Sequence, residues 1–512
     1  MSMILGDGSR LANSTATLDD LFRRAGVRLP DALALADPPN REVFTHDAPR
    51  KLSFAQTDRA ISALAARLRR LGLQTDTVIA MQLPNTAESV IAFLGVLRAG
   101  MIAAPMPLLW RRHDIVAALR NVGAKAIITT SRIGSAAHAD IAMQAAIELF
   151  PIRHVCSFGL DLPDGIVPLD DVFDARNIDV FATPNRSGLA AAHVAAVTFG
   201  LDARGLVPIA RNHAELTTGG LAIALEANIA ADTPLLSTIP TGSFAGIVLT
   251  ILPWLLSGGA LHLHHGFDPD TFAAQCSSLK DGVVVLPEES LTPLATAGLP
   301  PNEIHTILAL SRAPERLALA RPWDGAASVV DVTSFGEIGF VAARRGADRT
   351  PVPLTHGAIQ APRQTADAIT VIETARNNAG TLTLRGPMVP AYAFPPGAER
   401  GQDAHLAPDA AGYVDTGFAC RPEHAAQTLT VTAPPSGTIG VGGYRFLQRE
   451  VDTLIGQADP DATVVTLPDA DLGQRLAGTT ANRATLRAKL QARGVNPLIS
   501  GAFQPRGAPE AA

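Results

Sequence analysis

The chain has 512 residues, 47% of them hydrophobic and 18% charged, with a formal net charge of -6. That length predicts two to four domains with ample interior for a core. The acidic balance argues against nucleic-acid binding as the main task, and the composition is that of an ordinary globular protein.

Cys156, Cys276 and Cys420 lie far apart, which fits neither a disulfide framework nor a zinc ribbon and points to a reducing, cytoplasmic setting. The opening "MSMILGDGSRLANSTATLDD" lacks the basic start and apolar core of a secretory signal. The longest apolar stretch, "GIVLTILPWLLSGGALHL", is interrupted by Pro253 and by Gly258 and Gly259, so no membrane span is expected. Only four lysines occur, Lys51, Lys125, Lys280 and Lys489, and they limit where lysine chemistry can take place.

In chain order, Ile61, Leu64, Leu68 and Leu71 fall on one helical face that ends near Gly72. "VIAMQL" (Val78 to Leu83) reads as a buried strand. A helix follows with Asn85 as its candidate cap, Glu88 three residues on, and Gly100 as its terminator. "AKAIITT" is a further strand. The apolar run Val194 to Phe199 then enters a Gly-bearing turn, and a helix opens near Asn212. A strand, a Gly turn and a helix N-terminus can together cradle an anion with backbone N–H groups. "DGVVVLP" adds another strand.

Strands alternating with helices predict an α/β fold. Its large N-terminal region, residues 1–432, would consist of packed subdomains with parallel sheets covered by helices. After about Gly380 the texture turns to short strands and Gly/Pro turns, a small β-rich part. A break at Pro434 and Pro435 precedes a short α+β C-terminal domain, residues 433–512, containing one helix over Thr480 to Arg493.

The order of these segments resembles the adenylate-forming superfamily: acyl-CoA synthetases, peptide-synthetase adenylation domains and luciferases. The resemblance runs from about Leu52 to Leu490. Its N-terminal part is "LSFAQTDRAISALAARLRRLGLQTDTVIAMQLPNTAESVIAFLGVLRAGMIAAPMP". "TIPTGSFAGIVLTILPWLLSGG" is similar to the family's acyl-pocket strand and helix, and "LALSRAPERL" to its adenine loop. "VTSFGEIG" resembles the Tyr-Gly-x-Thr-Glu motif, "GYVDTGF" the Trp-x-x-Thr-Gly-Asp motif, and "VGGYRF" the start of the C-terminal domain.

The resemblance implies activation of a carboxylate by ATP and Mg²⁺, then acyl transfer to a thiol such as CoA. The partners it implies are a small carboxylate or acyl thioester, with an acyl carrier or other protein partner left open. It makes Glu337 the magnesium-holding and residual catalytic carboxylate. It places Arg204, Gly205 and Arg211 at the phosphate loop, Arg312 at the adenine slot and Asp415 beside the ribose position. Gly242, Ser243, Phe244 and Gly246 fall at the acyl channel, where small side chains are expected to leave space for an apolar cavity.

The sequence departs from the family pattern at four places. No lysine follows the phosphate-loop glycines, so Arg204 and Arg211 are the cations available to substitute, while Asp202 adds negative charge. Phe418 stands where the ribose aspartate belongs. Arg312 replaces a glycine, either to stack on a base or to fill its slot. No lysine follows the last helix, and Lys489 lies within it as a solvated face residue. Two readings stay open: a divergent ligase with impaired adenylation, and a non-catalytic acyl-ligand or protein-partner module. His262, His264 and His265 could begin a metal site but read as a strand end, and Cys420 is a remote nucleophile candidate.

Overall fold

A computed structural model describes residues 16–504 except 175–180, 182, 185, 301–302, 320, 363–368, 391, 396–405 and 470–472. Two large sheets form its body. In the seven-stranded sheet, Val78–Met81 lies at the centre between Ala126–Thr130 and Ile102–Pro105, and all three run parallel. Its far edge is the antiparallel hairpin of Val194–Asp202 with Gly205–Asn212. The eight-stranded sheet is parallel from Ser328–Phe335 across to Leu33–Ala36. It is closed at its edges by two antiparallel strands, Gly339–Arg344 and Lys51–Ser53.

Parallel strands need crossovers, and the helices Phe54–Arg70 and Ala87–Arg98 share one core with both sheets, while Arg112–Leu119 and His138–Glu148 cover the other face of the seven-stranded sheet. The shared core joins Leu64 and Val90 on the first two of these helices to Ile79 and Ala126 of one sheet and Val283 and Leu308 of the other. Every residue of the helix Ala87–Arg98 is buried, so its sequence carries no polar stripe. Gly95 permits this closeness, since a Cβ there would lie 2.8 Å from Leu64.

The helix Phe54–Arg70 begins at the expected face with a capping box between Ser53 and Gln56. Asn85, expected as the next cap, has a different task. Thr86 occupies the cap position, and the Asn85 amide donates to the carbonyls of Ser237 (2.8 Å) and His264 (3.1 Å), tying the two sheets together. Glu88 likewise accepts from Arg41 (2.6 Å) and Arg50 (2.9 Å) rather than capping. The apolar run after Ser243 is helical from Phe244 to Ser257, with a π segment at Ile247–Ile251 just before Pro253. A proline cannot donate to the preceding turn, and the wider turn accommodates that loss.

A six-stranded antiparallel sheet covers the β-rich part, with Val414–Glu423 between Thr381–Arg385 and Thr428–Ala433. Beyond it, two hairpins and three short helical segments share a separate core of Val441, Val451, Ile455, Leu486, Leu490 and Phe503. The C-terminal helix spans Arg483–Ala492, capped by Asn482, and is therefore shorter than the periodicity predicts. No helix among the described residues is long and apolar enough to cross a membrane.

Candidate functional site

The C-terminal elements roof a cavity of about 850 Å³. Its floor comes from the 194–212 hairpin, the 238–245 segment and the turn Phe335–Glu337. Its sides include residues 415–418, and Tyr444 and Arg445 close it from the C-terminal side. Apolar side chains such as Trp110, Phe199, Leu206 and Ile209 share the wall with Arg312 and Glu337.

The hairpin decides what this site can hold. Asp202 and Gly205 pair across a two-residue turn, and the backbone N–H groups of both strands enter the ladder. The Asp202 carboxylate accepts from the N–H of Arg204 (2.7 Å) and of Gly205 (3.2 Å). An acceptor supplied by the chain thus occupies the turn amides that an anion would need. The expected helix does open at Asn212, whose side chain accepts from Glu215 N–H in a capping box.

The two arginines of this segment differ. Arg204 is exposed at the turn, near Asp202 (3.4 Å), and its carbonyl accepts from Arg449 (2.7 Å) of the C-terminal region. Arg211 is fully buried. It donates to the carbonyls of Met388 (2.6 Å), Ile338 (3.0 Å) and Glu337, and its guanidinium lies 3.8 Å above the Phe244 ring. Burial lowers its pKa to about 10, still charged at neutral pH. It is therefore a buried brace, outside the cavity wall, which corrects its expected place among the phosphate cations.

Glu337 is on the wall and half-buried. Its Oε2 accepts from Phe244 N–H at 2.7 Å. Burial raises its pKa, while that hydrogen bond and the nearby Arg312 and Arg211 charges oppose the rise. Arg312 also lines the cavity and donates to Ser243 Oγ at 3.1 Å. Its own carbonyl accepts from Arg445 (2.9 Å), which reaches on to Glu315 (3.2 Å).

Asp415, the second residue of the strand Val414–Glu423, stands at the cavity rim. Its carboxylate accepts from Gly417 N–H (2.8 Å) and Asn377 (3.1 Å). Phe418 is buried beside Phe335 at 5.9 Å, and the Arg445 guanidinium lies 4.8 Å from its ring centre. A cation over an aromatic face is favourable, so an apolar and cationic pair fills this corner.

At the expected acyl channel, Gly242 and Ser243 line the cavity, but Phe244 and Gly246 do not. Phe244 packs on Phe340 at 5.9 Å. A Cβ on Gly246 would lie 2.1 Å from the Pro240 carbonyl oxygen, and one on Gly242 would lie 2.7 Å from that of Met106. Both glycines admit neighbouring backbone. The expectation that they leave open space is corrected.

Among the described residues no three His, Cys, Asp or Glu side chains gather as a metal site. His264 bonds Gln275 at 2.7 Å, as expected of a strand-end residue. The three thiols are free and buried, and burial raises the pKa of Cys420. Lys489 is exposed on its helix, as expected, and its ammonium also donates to the Ala458 carbonyl at 3.1 Å. Tyr444 and Arg445 were missed in the sequence. The only signal was their place in "VGGYRF", directly after the domain break.

The AMP-binding enzyme family matches residues 22–170. A 4-hydroxyphenylalkanoate adenylyltransferase of Mycobacterium marinum is 36% identical over 131 residues, covering 24% of this chain and 20% of that protein. Long-chain fatty acid transport protein 1 of Mus musculus is 30% identical over 168 residues, covering 33% and 24% respectively. The chain thus spans about a fifth to a quarter of the length of these curated relatives. The o-succinylbenzoate CoA synthetase MenE of Bacillus subtilis superposes with a TM-score of 0.68 at 14% identity, covering 94% of this chain and 93% of that one. The amide bond synthetase McbA of Marinactinospora thermotolerans gives 0.67 at 18% identity, covering 95% and 94%.

Two helix-covered sheets, a β-rich layer and a small domain roofing the cavity between them define the fold of the adenylate-forming enzymes. The chain has that fold, and its residues 22–170 match the AMP-binding enzyme family.

Proposed function

We propose that this chain is a divergent acyl-CoA synthetase-like protein that takes a carboxylic acid or acyl thioester in the 850 Å³ cavity, with its ATP-driven adenylation impaired. The Asp202 turn carries this reading, because its own carboxylate holds the amides that would otherwise meet phosphate. Three further features support it. Arg211 is spent on backbone carbonyls, Phe418 has no acceptor for ribose hydroxyls, and Glu337 is already held by Phe244 N–H. ATP and Mg²⁺ do not fit these residues. Buried ribose hydroxyls left unpaired would cost about 1–3 kcal/mol each, and loss of one charge stabiliser at a reacting centre costs roughly 10²–10³ in rate.

What remains suits an acid. The apolar wall takes its body, and Arg312, steadied by Ser243, offers a cation for its head. The similarity to a long-chain fatty acid transport protein and an adenylyltransferase for 4-hydroxyphenylalkanoates agrees with an apolar carboxylate. A cytoplasmic role in fatty-acid or related carboxylate metabolism follows from this reading.

The alternative is a non-catalytic module that binds the same ligand, or a protein such as an acyl carrier. The Arg312–Ser243 bond favours it, since the cavity has a cationic end without any nucleotide.

Separate titrations with ATP–Mg²⁺, an acyl-AMP analogue, CoA, a fatty acid and its CoA thioester test both readings, together with pyrophosphate exchange over a carboxylate panel. The expected result is binding of the acid or thioester, no ATP binding below millimolar concentration, and no exchange. Micromolar ATP affinity that disappears on changing Arg204 or Glu337 would make the protein an ordinary ligase.

A further inference from the structure

A second cavity, of about 400 Å³, lies away from the first, in the seam between the helix Arg112–Leu119 and the C-terminal domain. Its wall carries Arg112, His113, Arg120 and Arg493, with Glu148 as its only acidic residue. Arg112 satisfies that carboxylate at 2.8 Å and also donates to the Arg493 carbonyl at 3.1 Å. Arg120 pairs with no carboxylate among the described residues. The Arg493 guanidinium reaches only the Gln457 carbonyl, at 3.1 Å. Three guanidiniums therefore face one carboxylate.

The seam itself is closely made. His113 N–H donates to the Gly494 carbonyl at 3.0 Å. Gly494 has φ +69, and a Cβ on it would meet Arg112 at 2.7 Å. Only a glycine there lets the strand of chain after the last helix approach so near. The contact holds Arg493 of one domain beside Arg112 and Arg120 of the other, although like charges brought together oppose the docking. The field is felt locally, since burial and the charges of Arg112 and Arg120 lower the His113 pKa, with Glu148 acting against them.

We propose that this notch is an anion site for a phosphate monoester, with Arg120 and Arg493 as the ligands that bridge the two domains. A phosphoryl dianion offers acceptors to several guanidiniums at once, and it cancels the excess charge that the seam brings together. The notch has room for an organic group beyond the phosphate.

Calorimetric titration of the full chain with inorganic phosphate and with ribose 5-phosphate tests the proposal, together with an NMR titration of His113. Either ligand should bind and raise the His113 pKa, because a dianion replaces a field of cations. Tighter binding of the ester than of inorganic phosphate is expected, and an ester that binds no better than inorganic phosphate would overturn the assignment to a monoester. R120Q and R493Q alter exposed side chains and should leave the fold intact. Each should weaken binding about tenfold or more, as the loss of one charged hydrogen bond implies. Failure of both ligands to bind at millimolar concentration would overturn the proposal. So would binding that R120Q and R493Q leave unchanged, or that leaves the His113 titration where it was. None of these outcomes depends on what occupies the larger cavity.

Discussion

Arg211→Met separates a structural arginine from a phosphate-binding one. The guanidinium has hydrogen bonds to the carbonyls of Met388 and Ile338 at 2.6 and 3.0 Å, and a further one to Glu337. Hydrogen bonds from charged donors contribute about 1.5–3 kcal/mol each, so losing the first two alone removes roughly 3–6 kcal/mol. Methionine fills part of the volume and keeps contact with the Phe244 ring, now 3.8 Å from the guanidinium carbon. A net loss of about 3–5 kcal/mol is expected, the range found when one partner of a buried charged pair is removed. The variant should show a lower urea midpoint for the N-terminal region. That loss should be constant between pH 6 and 8, because the arginine pKa of about 10 lies above the window and the group stays charged throughout. Affinity for an acyl ligand should change only as far as the fold loosens. A variant within about 0.5 kcal/mol of the parent that lost a nucleotide or acyl ligand tenfold would refute the reasoning, since Arg211 would then be serving the cavity.

Gly246→Ala should destabilise the protein strongly or prevent its folding, measured as soluble yield and melting temperature, because its Cβ would lie 2.1 Å from backbone oxygen; a well-folded variant would disprove that close approach. Phe418→Asp should not restore ATP binding by calorimetry and should cost roughly 3–5 kcal/mol, as other Phe truncations in cores do. Asp114, three residues after the cap residue Arg111 of its helix, has a carboxyl pushed up to about 7 by burial, with the Arg111 N–H and charge opposing. Its folded pKa exceeds its unfolded one, so the native state binds the proton more tightly and stability falls as pH rises from about 4 to about 7. Asp114→Asn should therefore gain on the parent in melting temperature toward pH 8, and the gap should close near pH 4. Limited proteolysis should cut at Ser436–Gly437, exposed between the buried Pro435 and Thr438, before any site within residues 60–130. An earlier cut in that N-terminal range would contradict the proposed domain boundary.

Elements with strong local signals were legible in the sequence. The apolar face through Ile61, Leu64 and Leu68 and the Asn212–Glu215 capping box specify their helices from a few adjacent residues. Gly100 stops its helix at φ +73, as a terminator should. Asn85 shows where such reading ends. Asparagine and threonine are both good caps, and the cap falls one residue after the expected Asn85, at Thr86. What decided between them was the distant pair of carbonyls at Ser237 and His264, which no local pattern reveals. The same holds for Arg211, whose partners lie more than 120 residues away. Gly246 was misread for a related reason: a glycine in sequence is compatible with open space and with a backbone neighbour, and only packing distinguishes them.

The 197–216 stretch failed differently, since its answer was local. Asp202-Ala-Arg-Gly205 is hairpin-turn chemistry, an acceptor side chain followed by a glycine, here at φ +145. As a phosphate loop the stretch lacks a lysine, and Asp202 counts only as an added negative charge. The carboxylate has a more specific effect. It bonds the two turn amides, so a phosphate arriving there would have to displace an anion tethered to the same turn. Adding a lysine would supply charge but would not free those amides. Recovery of nucleotide binding at this hairpin would therefore require removal of the Asp202 carboxylate first, and Phe418 and Arg445 would still fill the other end of the nucleotide's place.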